Sequence, residues 1–181
     1  YPEDRVRHML ADSGVQLVVT DGTKEELFVN FTGEMINVFE RAGELAEMSV
    51  ENPEPVNQPG DVLYVIYTSG TTGTPNGAML SHDLLTNLVK WQTIDTTIDA
   101  SKRVLQFTSV NFCVSFQEIM ITLVSGGEVH LIGDIQRRDI DYLMNFLASH
   151  RINVLYLPFS YLNFLFNESG RWGGDFHHYL Q

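Results

Sequence analysis

Residues 62–77 read VLYVIYTSGTTGTPNG, an apolar run followed by a run rich in glycine and hydroxyl residues. Its apolar first half predicts a strand over Val62–Tyr67. The following Ser69–Gly77 is rich in glycine and hydroxyl residues and predicts a loop, after which Ser81–Gln92 has the pattern of a serine-capped helix. A polar loop at the end of an apolar strand lies where open α/β sheets place their ligands. The stretch therefore predicts a binding loop at the edge of such a sheet.

The composition of this loop favours an anion as its ligand. Glycines allow close approach of the backbone, and exposed N–H groups can bind phosphate oxygens. Four threonines and one serine between Tyr67 and Gly77 add hydroxyl donors. The loop does not end in Gly-Lys-Ser/Thr, so it is not a Walker loop.

Outward from the loop, predicted strands and helices alternate with short connections. The pattern of Glu25–Glu47 mixes helical and strand signals. The three prolines of Asn52–Gly60 predict a loop. The alternation predicts an α/β fold, a parallel sheet flanked by helices, in one domain over residues 1–181. The further strands are predicted over Leu17–Thr20, Val104–Phe107, Val129–Ile132 and Val154–Leu157, and the further helices over Pro2–Ser13, Ser115–Leu123, Asp139–Ser149 and Tyr161–Phe166.

The acidic composition of the chain makes nucleic acid and anionic membranes poor candidates as partners. With 23 acidic and 11 basic residues, the net charge of −12 disfavours nucleic acid and anionic membranes. No apolar run approaches the roughly 18 residues of a membrane span, and the first residues do not have the pattern of a signal peptide. The single cysteine, Cys113, excludes an internal disulfide, and no Cys/His cluster has zinc spacing. We expect a cytoplasmic protein.

Four segments together identify a resemblance. Tyr67–Gly77 resembles the phosphate-binding motif YTSGTTGxPKG of the adenylate-forming superfamily. Tyr1–Val6 resembles the YPxxR segment of peptide synthetase adenylation domains, and Gly77–His82 resembles the segment after their loop. Val104–Phe107 followed by Phe112–Ile119 resembles their RVLQF…FDxSxxEI segment. The resemblance implies that the fold is part of the large N-terminal domain of these enzymes.

In that family the loop contacts the triphosphate of ATP while a substrate carboxylate attacks the α-phosphate. The acyl-adenylate then passes its acyl group to a phosphopantetheine thiol on a carrier protein. The resemblance implies that Glu118 is a candidate contact for Mg²⁺. It also implies phosphate contacts at Thr68, Ser69, Gly70, Thr71, Thr72, Gly73, Thr74, Asn76 and Gly77.

Two positions depart from the family pattern. Asn76 stands where the motif has lysine, which removes a positive charge from the phosphate contact. Cys113 stands at the FDxS aspartate, which pairs with the α-ammonium of amino acid substrates. A thiol cannot replace that charge, and we expect Cys113 to pack as a small apolar residue. Its presence fits either no substrate or a keto or hydroxy acid.

The sequence contains no counterpart of the family's adenine-contacting segment, its TGD motif or its lysine-bearing C-terminal domain. We therefore expect a partial, non-catalytic pseudo-adenylation subdomain, with no catalytic residue and no cofactor of its own. It would have a structural or docking role beside neighbouring domains of a peptide or depsipeptide synthetase, through the apolar Val154–Phe159 and Tyr161–Phe166. Alternatively, the chain is a fragment of an active adenylation domain. Such a domain uses ATP and Mg²⁺ to activate an amino, keto or hydroxy acid and load a carrier-protein thiol.

Overall fold

The computed structural model describes residues 1–68, 74–95, 98–99 and 101–168. The chain divides into two compact units, Tyr1–Leu80 and Ser81–Gln181. Each is described by itself below. Within the described residues, no helix combines the length and the apolar character needed to cross a membrane.

The first unit opens with helix α1 (Glu3–Ser13), which follows Pro2 and ends at Gly14. The φ of 61° at Gly14 is the left-handed conformation that glycine adopts without strain at a helix end. Strand β1 (Leu17–Thr20) then pairs in parallel with β2 (Glu34–Asn37). A 3-10 helix over Glu25–Phe28 lies between these strands in sequence, and the short helix α2 (Ala42–Ala46) follows them.

A second sheet of two strands contains the motif region. Strand β3 (Val62–Thr68) begins where predicted and ends one residue later, and strand β4 (Asn76–Ser81) is its neighbour. The prediction of a loop through Gly77 is wrong at its end, because Asn76 and Gly77 already belong to β4. Pairing with a neighbouring strand outweighs the turn preference of asparagine and glycine.

The second unit is built on a parallel sheet of three strands in the order β6-β5-β7. Central strand β5 (Arg103–Gln106) lies between β6 (Glu128–Leu131) and β7 (Val154–Leu155). Consecutive residues Val104 and Leu105 are both inaccessible to solvent, as expected of a parallel strand covered on both faces.

Helices α3 (His82–Asp95), α4 (Cys113–Val124), α5 (Ile140–Ser149) and α6 (Phe159–Glu168) accompany this sheet. Helix α4 contacts β5 and β6. Helix α5 begins after Asp139, whose carboxylate accepts a hydrogen bond from the Tyr142 N–H at 3.0 Å. The core consists of Leu105, Phe107, Leu143, Met144, Leu147, Ile152 and Leu165.

The prediction of an α/β fold with a parallel sheet flanked by helices is confirmed. Most predicted elements are present with ends shifted by one or two residues; for example, the helix predicted from Ser81 begins at His82. The single domain over residues 1–181 stays a prediction.

Candidate functional site: the phosphate segment and the carboxyl end of strand β5

The described ends of the predicted phosphate loop lie in the first unit. Thr68 ends β3 and is exposed, as are Thr74 and Asn76 on the other side. Asn76 opens β4 with a neutral amide where the motif has a lysine. The predicted contacts at Ser69, Gly70, Thr71, Thr72 and Gly73 lie outside the described residues.

Tyr67 joins the end of β3 to helix α1. Its side chain is buried, and its hydroxyl donates a hydrogen bond to the Asp12 carboxylate at 2.7 Å. Its carbonyl oxygen accepts one from Arg5 Nη2 at 3.0 Å. Burial, and then the bond to Asp12, raise the pKa of the Tyr67 phenol above its ordinary value. The phenol therefore stays a neutral donor at physiological pH.

Gly77, the last predicted phosphate contact, lies against this tyrosine. A Cβ atom on Gly77 would be 3.1 Å from Cζ of Tyr67 and 3.0 Å from Cγ1 of Val65. A side chain at position 77 would therefore be in tight contact with Val65 and Tyr67, so the packing between β3 and β4 favours glycine.

In the second unit, Glu118 of α4 is a fully buried carboxylate. It accepts the Thr108 hydroxyl at 2.8 Å, the Thr108 N–H at 3.1 and 3.2 Å, and Gln106 Nε2 at 3.3 Å. Burial raises the pKa of Glu118, while the bonds from Thr108 and Gln106 oppose that rise. Glu118 therefore links α4 by hydrogen bonds to Thr108, which follows β5.

Both oxygens of Glu118 are already engaged by donors of the chain. A Mg²⁺ contact at Glu118 stays a prediction, and it would require exchange of these bonds. Among the residues that the structure describes, no group of three or more histidine, cysteine, aspartate or glutamate side chains could hold a metal ion. The sequence reasoning did not identify Thr108, although a hydroxyl residue just after a buried strand was an available signal.

Cys113 is the first residue of α4 and a free, exposed thiol. The expectation that it packs as a small apolar residue is wrong. The preceding residue, Phe112, is exposed as well, whereas Ser115 in the first turn of α4 is buried.

A cavity of about 570 Å³ lies beside this helix start. Phe112 and Val114, the neighbours of Cys113, line it together with Gln117 of the next turn. Its walls are mostly apolar, so it suits an apolar group better than a charged one. The carboxyl ends of β5 and β7 supply the remaining walls through Phe107, Thr108, Ser109, Tyr156, Leu157 and Pro158.

The polar groups of the cavity are held by neighbours. Arg137 Nη1 donates to the Phe107 carbonyl at 2.9 Å, and Arg137 Nη2 forms an ion pair with Asp134. Burial raises the pKa of the Tyr156 phenol, whose hydroxyl donates to Gln92 Oε1 at 3.5 Å. The sequence reasoning missed this cavity, whose lining residues are spread over fifty positions and meet only through strand pairing.

The chain matches a family of known proteins along nearly its whole length. The model of the family described as AMP-binding enzyme matches residues 1–180. Tyrocidine synthase 2 of Brevibacillus parabrevis is 40% identical over 167 residues, covering 92% of this chain and 5% of that protein. Gramicidin S synthase 2 of Aneurinibacillus migulanus is 38% identical over 93% of this chain and 4% of its own length. The chain thus spans only a small part of these relatives.

Two solved structures share the fold. The Klebsiella oxytoca NpsA N-terminal subdomain, in complex with 3-hydroxyanthranilyl-AMSN, has a TM-score of 0.67 and 18% identity over 87% of this chain and 38% of its own. The nonribosomal peptide synthetase FmoA3, in an AMPPNP-bound form, has a TM-score of 0.73 and 23% identity over 84% of this chain and 16% of its own. From the family match over nearly all of its length, the chain belongs to the AMP-binding enzyme family, in the adenylate-forming peptide synthetase branch.

Proposed function

We propose that this chain is a non-catalytic pseudo-adenylation subdomain. Its role is structural, or to dock other domains, within a module of a cytoplasmic nonribosomal peptide or depsipeptide synthetase. One observation carries the proposal: the chain lacks a charge at two of the positions where the resemblance places a charged contact. Asn76 replaces the lysine that would face ATP, and Cys113 replaces the aspartate that would face the substrate's α-ammonium.

The exposed amide of Asn76 can donate a hydrogen bond but brings no positive charge to a phosphate. A hydrogen bond to a charged group contributes about 1.5–3 kcal/mol. Loss of a donor that stabilises charge in a transition state costs on the order of 10²–10³ in rate. Binding of ATP and its reaction are therefore both weakened.

The exposed thiol of Cys113 offers no fixed negative charge to an amino acid substrate. Position 113 would face the acid substrate, whereas position 76 would face ATP. The free-energy effects of changes at two independent sites add. The two losses therefore multiply as rate factors, which argues against adenylation of an amino acid by these residues.

Some residues of the apolar stretches Val154–Phe159 and Tyr161–Phe166 support a docking role, and others belong to the core. Leu165 is buried and Tyr161 packs against Phe107 with ring centroids 5.0 Å apart, so these residues fill the core. Phe159 of α6 is 75% exposed, and Phe164 and Phe166 are about half exposed. The matched relatives are many times longer than this chain, so we assign these exposed rings to contacts with neighbouring domains of the same polypeptide.

Pyrophosphate exchange tests the proposal on the chain as it is. With amino, keto and hydroxy acids and Mg-ATP, we expect no substrate-dependent exchange above background. Calorimetry with Mg-ATP should show no binding tighter than roughly millimolar, or about −4 kcal/mol. Micromolar ATP binding or substrate-dependent exchange would refute the proposal.

A second candidate is a fragment of an active adenylation domain that activates a keto or hydroxy acid. The apolar cavity beside a neutral Cys113 favours it, because such an acid has no α-ammonium to pair. In that case ATP and Mg²⁺ are required, exposed Thr68 and Thr74 are among the phosphate contacts, and the acyl group passes to a carrier-protein phosphopantetheine. Exchange with a 2-oxo or 2-hydroxy acid, but not with the matching amino acid, would select this candidate.

A further inference from the structure

Helix α1 contacts both described ends of the chain that flank residues 69–73. On the β3 side, Arg5 Nη2 donates to the Tyr67 carbonyl at 3.0 Å. On the β4 side, His8 Nε2 lies 3.0 Å from the Pro75 carbonyl oxygen. Because a carbonyl oxygen only accepts, the histidine nitrogen is the donor. One helix therefore holds the backbone before and after the segment.

Tyr67 reinforces this connection from the strand side. Its hydroxyl donates to Asp12 at 2.7 Å, and its ring meets the His8 ring edge-on with centroids 6.2 Å apart. Gly77 of β4 packs against the same ring. A single buried side chain thus contacts α1 and both strands.

The spacing of the helix residues explains how one helix makes all these contacts. Arg5, His8 and Asp12 follow each other at intervals of three and four residues, which places them on one face. Arg7 lies outside this series and pairs instead with Glu3 one turn earlier. The face that holds the two chain ends is therefore separate from the charged pair.

We propose that α1 is a positioning element for the phosphate segment. Arg5, His8 and Asp12 fix Tyr67 and Pro75, and so fix the described chain on either side of residues 69–73. They are positioning residues, since each acts through a neighbour and none has to touch phosphate. The inference rests on the phosphate role proposed for this segment, whether vestigial or active.

Two measurements on the full chain test it, with His8→Ala as the variant and Arg7→Ala as the matched control on the same helix. Amide exchange over residues 76–80 should rise by about three- to tenfold in His8→Ala, the range expected for one lost hydrogen bond. It should stay unchanged in Arg7→Ala. His8→Gln keeps a donor on a side chain of similar reach and should restore the protection.

The second measurement is the affinity for magnesium tripolyphosphate, taken by NMR titration in an Asn76→Lys background that restores the charge. We expect His8→Ala to weaken it about three- to tenfold, with rescue by His8→Gln and the same thermal midpoint as Arg7→Ala. Equal exchange in His8→Ala and Arg7→Ala would overturn the contact itself. Raised exchange with unchanged tripolyphosphate affinity would overturn the positioning role. If no variant binds tripolyphosphate, the phosphate role fails, and the positioning proposal fails with it, whatever exchange shows.

Discussion

The ionisation of Glu118 affects the stability of the second unit. Burial raises the pKa of Glu118 above its ordinary 4.5, so the folded state holds a proton that the unfolded state releases. Between 4.5 and the raised pKa, the folded chain binds more protons, and the free energy of unfolding falls as pH rises through this window. Above the window the cost of the buried charge is fully present.

We expect Glu118→Gln to remove this dependence. In urea unfolding from about pH 4 to pH 8, the free energy of unfolding of the wild type should decline relative to that of Glu118→Gln. The variant should be less stable at the acid end, because its amide cannot accept at both atoms from Thr108 and Gln106. Parallel pH profiles for the two proteins would contradict the assignment.

Gly77 gives a second prediction at this scale. An added Cβ would lie 3.0 Å from Val65 and 3.1 Å from Tyr67, so Gly77→Ala should lower the free energy of unfolding by about 1–3 kcal/mol. Gly43 of α2 is the control, since nothing lies within 4 Å of its added Cβ. Gly43→Ala should stabilise by about 0.5–1 kcal/mol, because alanine favours helix. Denaturant midpoints that move in the same direction for both variants would argue against close packing at Gly77.

The sequence alone identified departures from the family at positions where the family motif specifies a particular residue. Comparison with the motif alone identified the changes at Asn76 and Cys113. The partners Thr108, Gln117 and Tyr156 were not predicted, because they meet only after β5, α4 and β7 have packed. The exposure of Cys113 was predicted wrongly for the same reason, since burial depends on which face of the unit a helix start occupies.

Helix α6 combines a buried residue with exposed rings, and the two classes should respond differently to substitution. Leu165 is 1% exposed in the core, so Leu165→Ala should cost about 2–5 kcal/mol in the free energy of unfolding. Phe159 is 75% exposed, so Phe159→Ser should change it by less than about 0.5 kcal/mol. Urea titration measures the free energy of unfolding of both variants and so distinguishes core from surface residues on α6. A large loss for Phe159→Ser would assign this ring to the core and remove it from the docking surface.

Elements with local signals were predictable from the sequence, and elements formed by pairing were not. Pro2 and Gly14 mark the ends of α1, and the prolines of Asn52–Gly60 mark a segment without regular structure. Strand β2 and helix α2 lie in a stretch with mixed helical and strand signals, and the predicted loop includes Asn76 and Gly77 of β4. Strand β2 pairs with β1, and β4 is the neighbour of β3. The stabilisation that a strand gains from its neighbour is not visible in its own local sequence pattern.

At the scale of the whole molecule, the chain spans a small part of each relative, so inactivity of this chain alone does not show which residues cause it. Tyrocidine synthase 1 of Brevibacillus parabrevis offers a suitable host. It is 31% identical over 170 residues, covering 93% of this chain and 15% of that protein. Replacing its matching segment with this chain tests the residues of the chain within that longer protein.

Pyrophosphate exchange by this chimera tests whether Asn76 and Cys113 themselves prevent adenylation. We expect no exchange with amino, keto or hydroxy acids. The double variant Asn76→Lys, Cys113→Asp should restore exchange with an amino acid, which also shows that the chimera folds. Exchange by the unmodified chimera with any acid would contradict the claim, as would a folded double variant that stays inactive.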